Sequence, residues 1–483
     1  MVIRISSFGP IKEFEFNLDK DLTVIYGSNN IGKSYAMQVV YLLLKNLLAL
    51  TEHPRILSSY YLPSKYGRMG NSEKAVLNST IAFLDKESSA VDITGKVNSA
   101  ISERLSVMAG AGLKTSFLNT FGDLSYLERK ENRGTPRVDA TMGKYKVSII
   151  IREEIKFENF DIGYTVIARK IQSRMSSKKM PGSTYLYYNN SPERFMRAIE
   201  QIIREELEQF ITTVYENVAA VYFLPASRSG IYSGMSAFGQ IIAELSKNRS
   251  LLTKKIELPG ISEPISDYFI SLTEINTASH FKLRKGELAE IAEEIEAEIL
   301  KGEVRFDDEK KSLLYKPGNM DVDLEMTSVS SMVSEMSPVV AFLKYIIARD
   351  NIRIGPKPEK SKSIIFIEEP EAHLHPENQV KLIQAFSKLI NCNVKLIITS
   401  HSNYIFNKLN NMILSQKLEA EKYCPIILTQ KDNGSISKLM DIDELGVSDE
   451  NFIDVSEALY EEREKIIEEL NSGVDEDDCT DKE

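Results

Sequence analysis

LTVIYGSNNIGKS, from Leu22 to Ser34, decides how the rest of the chain is read. LTVIY is a short, unbroken apolar run, as expected of a strand buried on both faces. GSNNIGKS satisfies GxxxxGK[ST], and the residues from about 33 to 50 read as a helix. Strand, glycine loop and helix in that order form a phosphate cradle. Glycines are needed because the backbone must curl tightly around phosphate oxygens, and a side chain at Gly32 would block their approach. The helix start adds unpaired N–H groups and the positive end of its dipole. The expected nucleotide contacts are Gly27, Ser28, Asn29, Asn30, Ile31, Gly32, Lys33, Ser34 and Tyr35. Among these, Lys33 would bridge the β- and γ-phosphates and Ser34 would ligate Mg²⁺.

The other half of such a site is expected in IIFIEEPEAHLHP, Ile364 to Pro376. An apolar strand ending in two acids has the Walker B pattern. Glu368 takes the position usually held by Asp and would hold Mg²⁺; Glu369 would polarise the attacking water as general base. His401 ends the next strand, in IITSHS, where it would touch the γ-phosphate. The same residues admit a metal reading, since His373, His375, His401 and a glutamate could satisfy Zn²⁺. The nucleotide reading is preferred because both the acids and His401 follow buried strands. His53 and His280 are isolated and read as structural or surface residues.

VIRISSFGPIKEFEFNL reads as two antiparallel strands. SIIFIEE, ENQVKLIQAFSKLI and VKLIITS alternate strand, helix and strand, which argues for a mainly parallel sheet covered on both faces. The fold class is α/β. The expected division is an N-terminal lobe at 1–50, an α+β insertion at 51–218, a C-terminal lobe at 219–465 and an acidic tail at 466–483. No a/d heptad pattern is sustained, so no long coiled coil is expected.

TSVSSMVSEMSP, Thr327 to Pro338, opens a helix just upstream of the Walker B strand. Hydroxyls at a helix start are ordinary caps. The order phosphate loop, serine-rich segment, Walker B and histidine motif favours a further role. GSNNIGKS, SSMVSE, IIFIEEPEAHLHP and IITSHS together resemble the RecF/SMC-like ABC ATPases, in the branch holding the OLD-family nucleases and anti-phage defence ATPases; the Septu-type defence ATPases are similar. The resemblance covers about 1–50 and 219–460. It implies a P-loop ABC-type ATPase head that pairs head-to-head around two ATP molecules with Mg²⁺. In such a pair, Ser330 and Ser331 would reach the γ-phosphate held by the other copy. Three features depart from the family pattern: Glu368 replaces Asp, the signature lacks its glycine pair, and no Q-loop glutamine can be placed. Arg228, in LPASRSG, is open between a phosphate or partner contact and a surface arginine.

Composition sets the outer bounds. The chain has 483 residues, 42% hydrophobic and 27% charged, as in ordinary globular proteins. No apolar run approaches the roughly 18 residues of a membrane span. The chain opens on a strand-like VIRI, so no secretory signal is expected. Cys392, Cys424 and Cys479 are widely spaced, which implies no disulfide framework and fits a cytoplasmic setting. The net charge is −11, and six acids in the closing DEDDCTDKE supply much of it as an expected solvated end. No nuclease pattern accompanies the ATPase motifs. The expected role is therefore a sensor or scaffold that controls a separate nuclease or toxin in prokaryotic defence. The alternative is a RecF-like DNA-repair ATPase, for which Arg169, Lys170, Arg174, Lys178 and Lys179 would neutralise phosphates.

Overall fold

Side-chain alternation in the buried strands sets the layers. Ile25, Ile364, Phe366, Ile397, Ile426 and Leu428 enter one core. Their neighbours Val24, Tyr26, Ile365, Ile367, Leu396, Ile398 and Ile427 enter a second core on the opposite face. Helices Lys33–Ala49, Thr94–Phe121 and Pro192–Asn217 complete the first core. Helices Glu263–Thr273, Glu287–Ile295, Ser331–Ala341, Pro376–Leu389 and Asn403–Leu414 complete the second. The computed structural model describes residues 1–51, 78–82, 84, 90–128, 134–170, 181–234, 260–275, 286–348, 361–443, 446–448 and 453–474.

Among the described residues the main sheet has 11 strands, and its order starts Val218–Leu224, Lys362–Glu368, Val394–Thr399, Leu22–Tyr26, Tyr423–Lys431. These first strands are parallel throughout. The order continues through Gly434–Leu439, Ile11–Asn17, Val2–Phe8, Arg137–Met142, Tyr145–Ile151 and Ile155–Asp161. From Ile11–Asn17 outward every pairing is antiparallel. The result is the expected α/β fold with a mixed sheet, whose parallel half carries the nucleotide motifs.

Register brings the motifs together. Glu368 lies opposite Thr399, and Thr399 lies opposite Ile25, just before the glycine loop. Three strands thus end side by side, where ligands bind in parallel α/β sheets.

The stretch read as an insertion contributes the strands Arg137–Met142 to Ile155–Asp161, which extend the main sheet from Val2–Phe8. Helix Ile453–Val474 runs through the expected boundary between lobe and acidic tail. Of the basic cluster, Arg169 stacks on the Tyr185 ring at 4.8 Å, and Lys170 ends the same strand. Arg174, Lys178, Lys179, His53, His280, Cys479 and the closing acidic run lie outside the described residues. Among those described, no helix is long and apolar enough to cross a membrane.

Candidate nucleotide site

The loop geometry explains its glycines. Gly27 has φ 135°, and a Cβ there would stand 2.4 Å from the Leu428 carbonyl oxygen. Gly32 has φ 100°, and a Cβ would meet Pro10 and Ile11 at 2.9 Å. Gly32 also caps the helix Lys33–Ala49. Ser28, Asn29, Asn30, Ser34 and Tyr35 are exposed, while Ile31 is buried under the loop. Tyr35 leans on an aromatic cluster, with Phe121 at 5.2 Å and Phe8 at 6.3 Å between ring centres.

Lys33 is buried, and its Nζ donates to the carbonyls of Gly27 at 2.8 Å and Ser28 at 2.7 Å. Burial lowers its pKa to about 8, against the opposing pull of Glu369 and Glu371. Lysine and Walker B acids therefore share one electrostatic neighbourhood.

Strand alternation aims Glu368 at the same face as Ile364 and Phe366, the face on which Ser34 starts its helix. Burial raises the Glu368 pKa; the Ser34 hydroxyl and the Ala226 N–H oppose that, and Glu369 adds to it. Oε2 accepts from the Ala226 N–H at 3.2 Å. Oε1 is buried and has no protein donor. A buried carboxylate oxygen without a donor, beside a serine hydroxyl, is a hard oxygen set suited to Mg²⁺.

Glu369 leaves the strand with φ 41°, a conformation uncommon outside glycine. Its N–H donates to Thr399 O at 3.1 Å and Oγ1 at 3.2 Å. Its Oε1 lies 3.6 Å from His401 Nε2. The bond to His401, helped by Lys33 and Arg228, holds its pKa below the ordinary carboxylate value. Glu371 orders the same turn: its Oε1 accepts from the Ser400 hydroxyl at 2.8 Å and the His401 N–H at 2.7 Å.

His373 and His375 do not join His401. His373 is exposed at φ 63°, and His375 caps helix Pro376–Leu389. Among the described residues, no group of three or more His, Cys, Asp or Glu is arranged for a metal ion. Ser330 caps helix Ser331–Ala341, accepting from the Val333 N–H at 3.4 Å. Ser330 and Ser331 are both exposed and have no hydrogen bond to the Lys33 cluster.

Residues 1–406 match the family described as AAA ATPase domain. The chain belongs to that family. No curated protein matches this ATPase domain. Solved SMC heads resemble it loosely. One, bound to the C-winged helix domain of ScpA, has 10% identity and a TM-score of 0.37, over 92% of this chain and 98% of that one. The SMC head domain from Thermotoga maritima has 10% identity and a TM-score of 0.33, over 91% and 98%. A Pyrococcus furiosus Smc head, with an extended coiled coil and bound to the C-terminal domain of ScpA, has 10% and 0.33, over 97% and 98%. The family assignment rests on the sequence match.

The site of this ATPase domain also holds residues that the motifs do not announce. Arg228 is not a surface arginine: it is fully buried beneath the Walker B strand end. Its partner Glu335 lies in the serine-rich helix and is equally buried. Pro225 stops a strand parallel to Walker B and so puts the following loop beside Glu368.

Proposed function

We propose that this ATPase domain binds ATP with Mg²⁺ and hydrolyses it between two copies of the chain. Residues 1–50 and 219–465 would form the head and 51–218 would elaborate it. The observation that carries the reading is the meeting of Lys33 and Ser34 with Glu368, Glu369 and His401 at adjoining strand ends. The loop N–H groups and Lys33 bind the triphosphate. Ser34 and Glu368 would hold Mg²⁺, which would supply charge neutralisation at the phosphate oxygens. Glu369, kept ionised, orients and polarises the water, and His401 sits beside it toward the γ-phosphate. Ser330 and Ser331 supply hydroxyls to the nucleotide of the facing copy, with the helix N-terminus behind them.

Pairing through exposed Ser330 gives a direct test. Light scattering with ATP and Mg²⁺ should show a mass increase for the natural sequence and none for Ser330→Arg, whose bulk and charge would keep the faces apart. A nucleotide-driven dimer of Ser330→Arg would remove the signature assignment.

Titration of Lys33 gives a second test. Bound phosphates favour the charged amine and raise its pKa. Below the free value of about 8 the amine is protonated both free and bound, so this group gives the affinity no pH dependence there. Above it, binding must take up a proton, and ATP affinity falls as pH rises. Nucleotide titrations at about pH 7 and about pH 9.5 should show this loss. Lys33→Arg should abolish the dependence while retaining a cation.

The wider role follows from the resemblance to defence-branch ATPases. We infer a cytoplasmic sensor or scaffold whose nucleotide-closed pair licenses a separate nuclease or toxin. Its test is co-purification of that effector with the pair, alongside salt-dependent DNA binding. Tight DNA binding without any effector would move the role to repair.

A further inference from the structure

We propose that Arg228 is a positioning residue for hydrolysis, tying the helix that begins at Ser331 to the strand end that carries Glu369. The inference rests on the ATPase reading above. Its basis is a buried strut. The side chains of Arg228 and Glu335 are 0% and 1% exposed, and Nε lies 3.5 Å from Glu335 Oε2. Nε also donates to the Glu335 carbonyl at 3.1 Å. Nη1 donates to the carbonyls of Pro225 at 3.1 Å and Glu368 at 2.8 Å, and Nη2 reaches that of Glu369 at 3.4 Å. Glu335 is fastened in return: it accepts from the Arg228 N–H at 2.9 Å, the Ser229 N–H at 3.1 Å and the Ser229 hydroxyl at 2.6 Å. Tyr268 donates its hydroxyl to the Arg228 carbonyl at 3.4 Å.

This network asks for arginine in particular. The guanidinium offers donors in a rigid planar fork, so one side chain can serve a helix, a loop and a strand end together. A lysine carries its three donors on one nitrogen and cannot span them. Burying the pair is costly, and either charge alone would be costlier, so the two act as a unit.

The consequence falls on Glu369. Its backbone is held at φ 41° by two grips, Thr399 on the N–H and Arg228 on the carbonyl. A non-glycine residue stays in that region only when its surroundings over-determine it. Releasing the carbonyl lets the peptide relax and turns the carboxylate away from His401. Glu335 lies one turn beyond Ser331 on the same helix. A displacement at the exposed helix start therefore reaches the Glu369 peptide through two contacts.

The test is steady-state hydrolysis and ATP affinity for Arg228→Lys, alone and combined with Glu369→Gln. Alone, Arg228→Lys should lower kcat about 100-fold with the Kd for ATP changed less than about two-fold, since the glycine loop and Lys33 are untouched. Added to Glu369→Gln, it should change the residual rate less than about two-fold, because a group that acts through Glu369 has nothing left to position. A kcat near that of the natural sequence, or an equal loss on top of Glu369→Gln, would overturn the proposal. If Arg228→Lys is insoluble, Glu335→Gln faces the same criteria with an expected loss of about 10-fold, because Arg228 keeps its carbonyl acceptors while the ionic grip and one of the two acceptor oxygens that hold the Arg228–Ser229 backbone are lost. Rapid hydrolysis by Glu369→Gln alone would instead overturn the site reading; slow hydrolysis there with normal Arg228→Lys would overturn the positioning role only.

Discussion

Lys33→Ala is expected to abolish measurable ATP turnover and weaken ATP binding by roughly 100-fold. The size follows from removing a charge-assisted contact worth about 3 kcal/mol with phosphate oxygens, where 1.4 kcal/mol is tenfold. Lys33 is placed for that loss. It opens the helix behind the glycine loop, and its Nζ is folded onto the carbonyls of Gly27 and Ser28. A phosphate group offers the amine stronger acceptors than two neutral carbonyls. The fold should not suffer in proportion. Burial already disfavours the charged amine, as its lowered pKa records, so alanine removes a desolvation cost along with two hydrogen bonds. Calorimetric titration with ATP and a thermal melt separate the effects. Turnover near that of the natural sequence, with an intact melt, would detach Lys33 from the triphosphate and remove the loop from the site.

The motifs that could be read from the sequence share one physical property: their local rules leave few alternatives. LTVIY and SIIFIEE lack polar alternation because both faces meet a core, and the structure fills both faces. Gly27 and Gly32 occupy positive φ with no room for a Cβ. Such constraints act over a few residues. What remained hidden depends on distant partners. LPASRSG looks like a polar turn, and nothing within it says that Arg228 will be sealed by Glu335, 107 positions away. Glu335 looks like an ordinary polar residue of an amphipathic helix. Glu371 sits in a motif read as a turn, and its work on Ser400 and His401 appears only when the two strand ends adjoin. The sheet continuation is similar: RVDATM pairs antiparallel with Val2–Phe8, a long-range pairing that no local pattern specifies.

Glu369→Gln should leave ATP binding intact and slow hydrolysis by about 10² to 10⁴, the range for losing a positioned base. The substitution keeps the shape and the backbone grips on Thr399 and Arg228, because both use main-chain atoms. What changes is charge. The carboxylate is held ionised chiefly by His401, with Lys33 and Arg228 adding to the effect, so at neutral pH it presents an acceptor to water throughout. The carboxamide presents one weaker acceptor and an N–H₂ group that would repel the water's hydrogens. Glu368 cannot substitute: it is buried, one oxygen is committed to Ala226, and the Ser34 hydroxyl lies against its carboxyl. The variant therefore should accumulate with ATP bound. If closure of two copies depends on the uncleaved triphosphate, it should also persist as a dimer in ATP and Mg²⁺ and fall apart when the nucleotide is removed. Single-turnover rates with light scattering on the same sample read both properties. Normal single-turnover cleavage would place the base elsewhere. Slow cleavage by a strictly monomeric protein would keep Glu369 as the base and break the link between hydrolysis and pairing, so the two halves of the mechanism stand or fall separately.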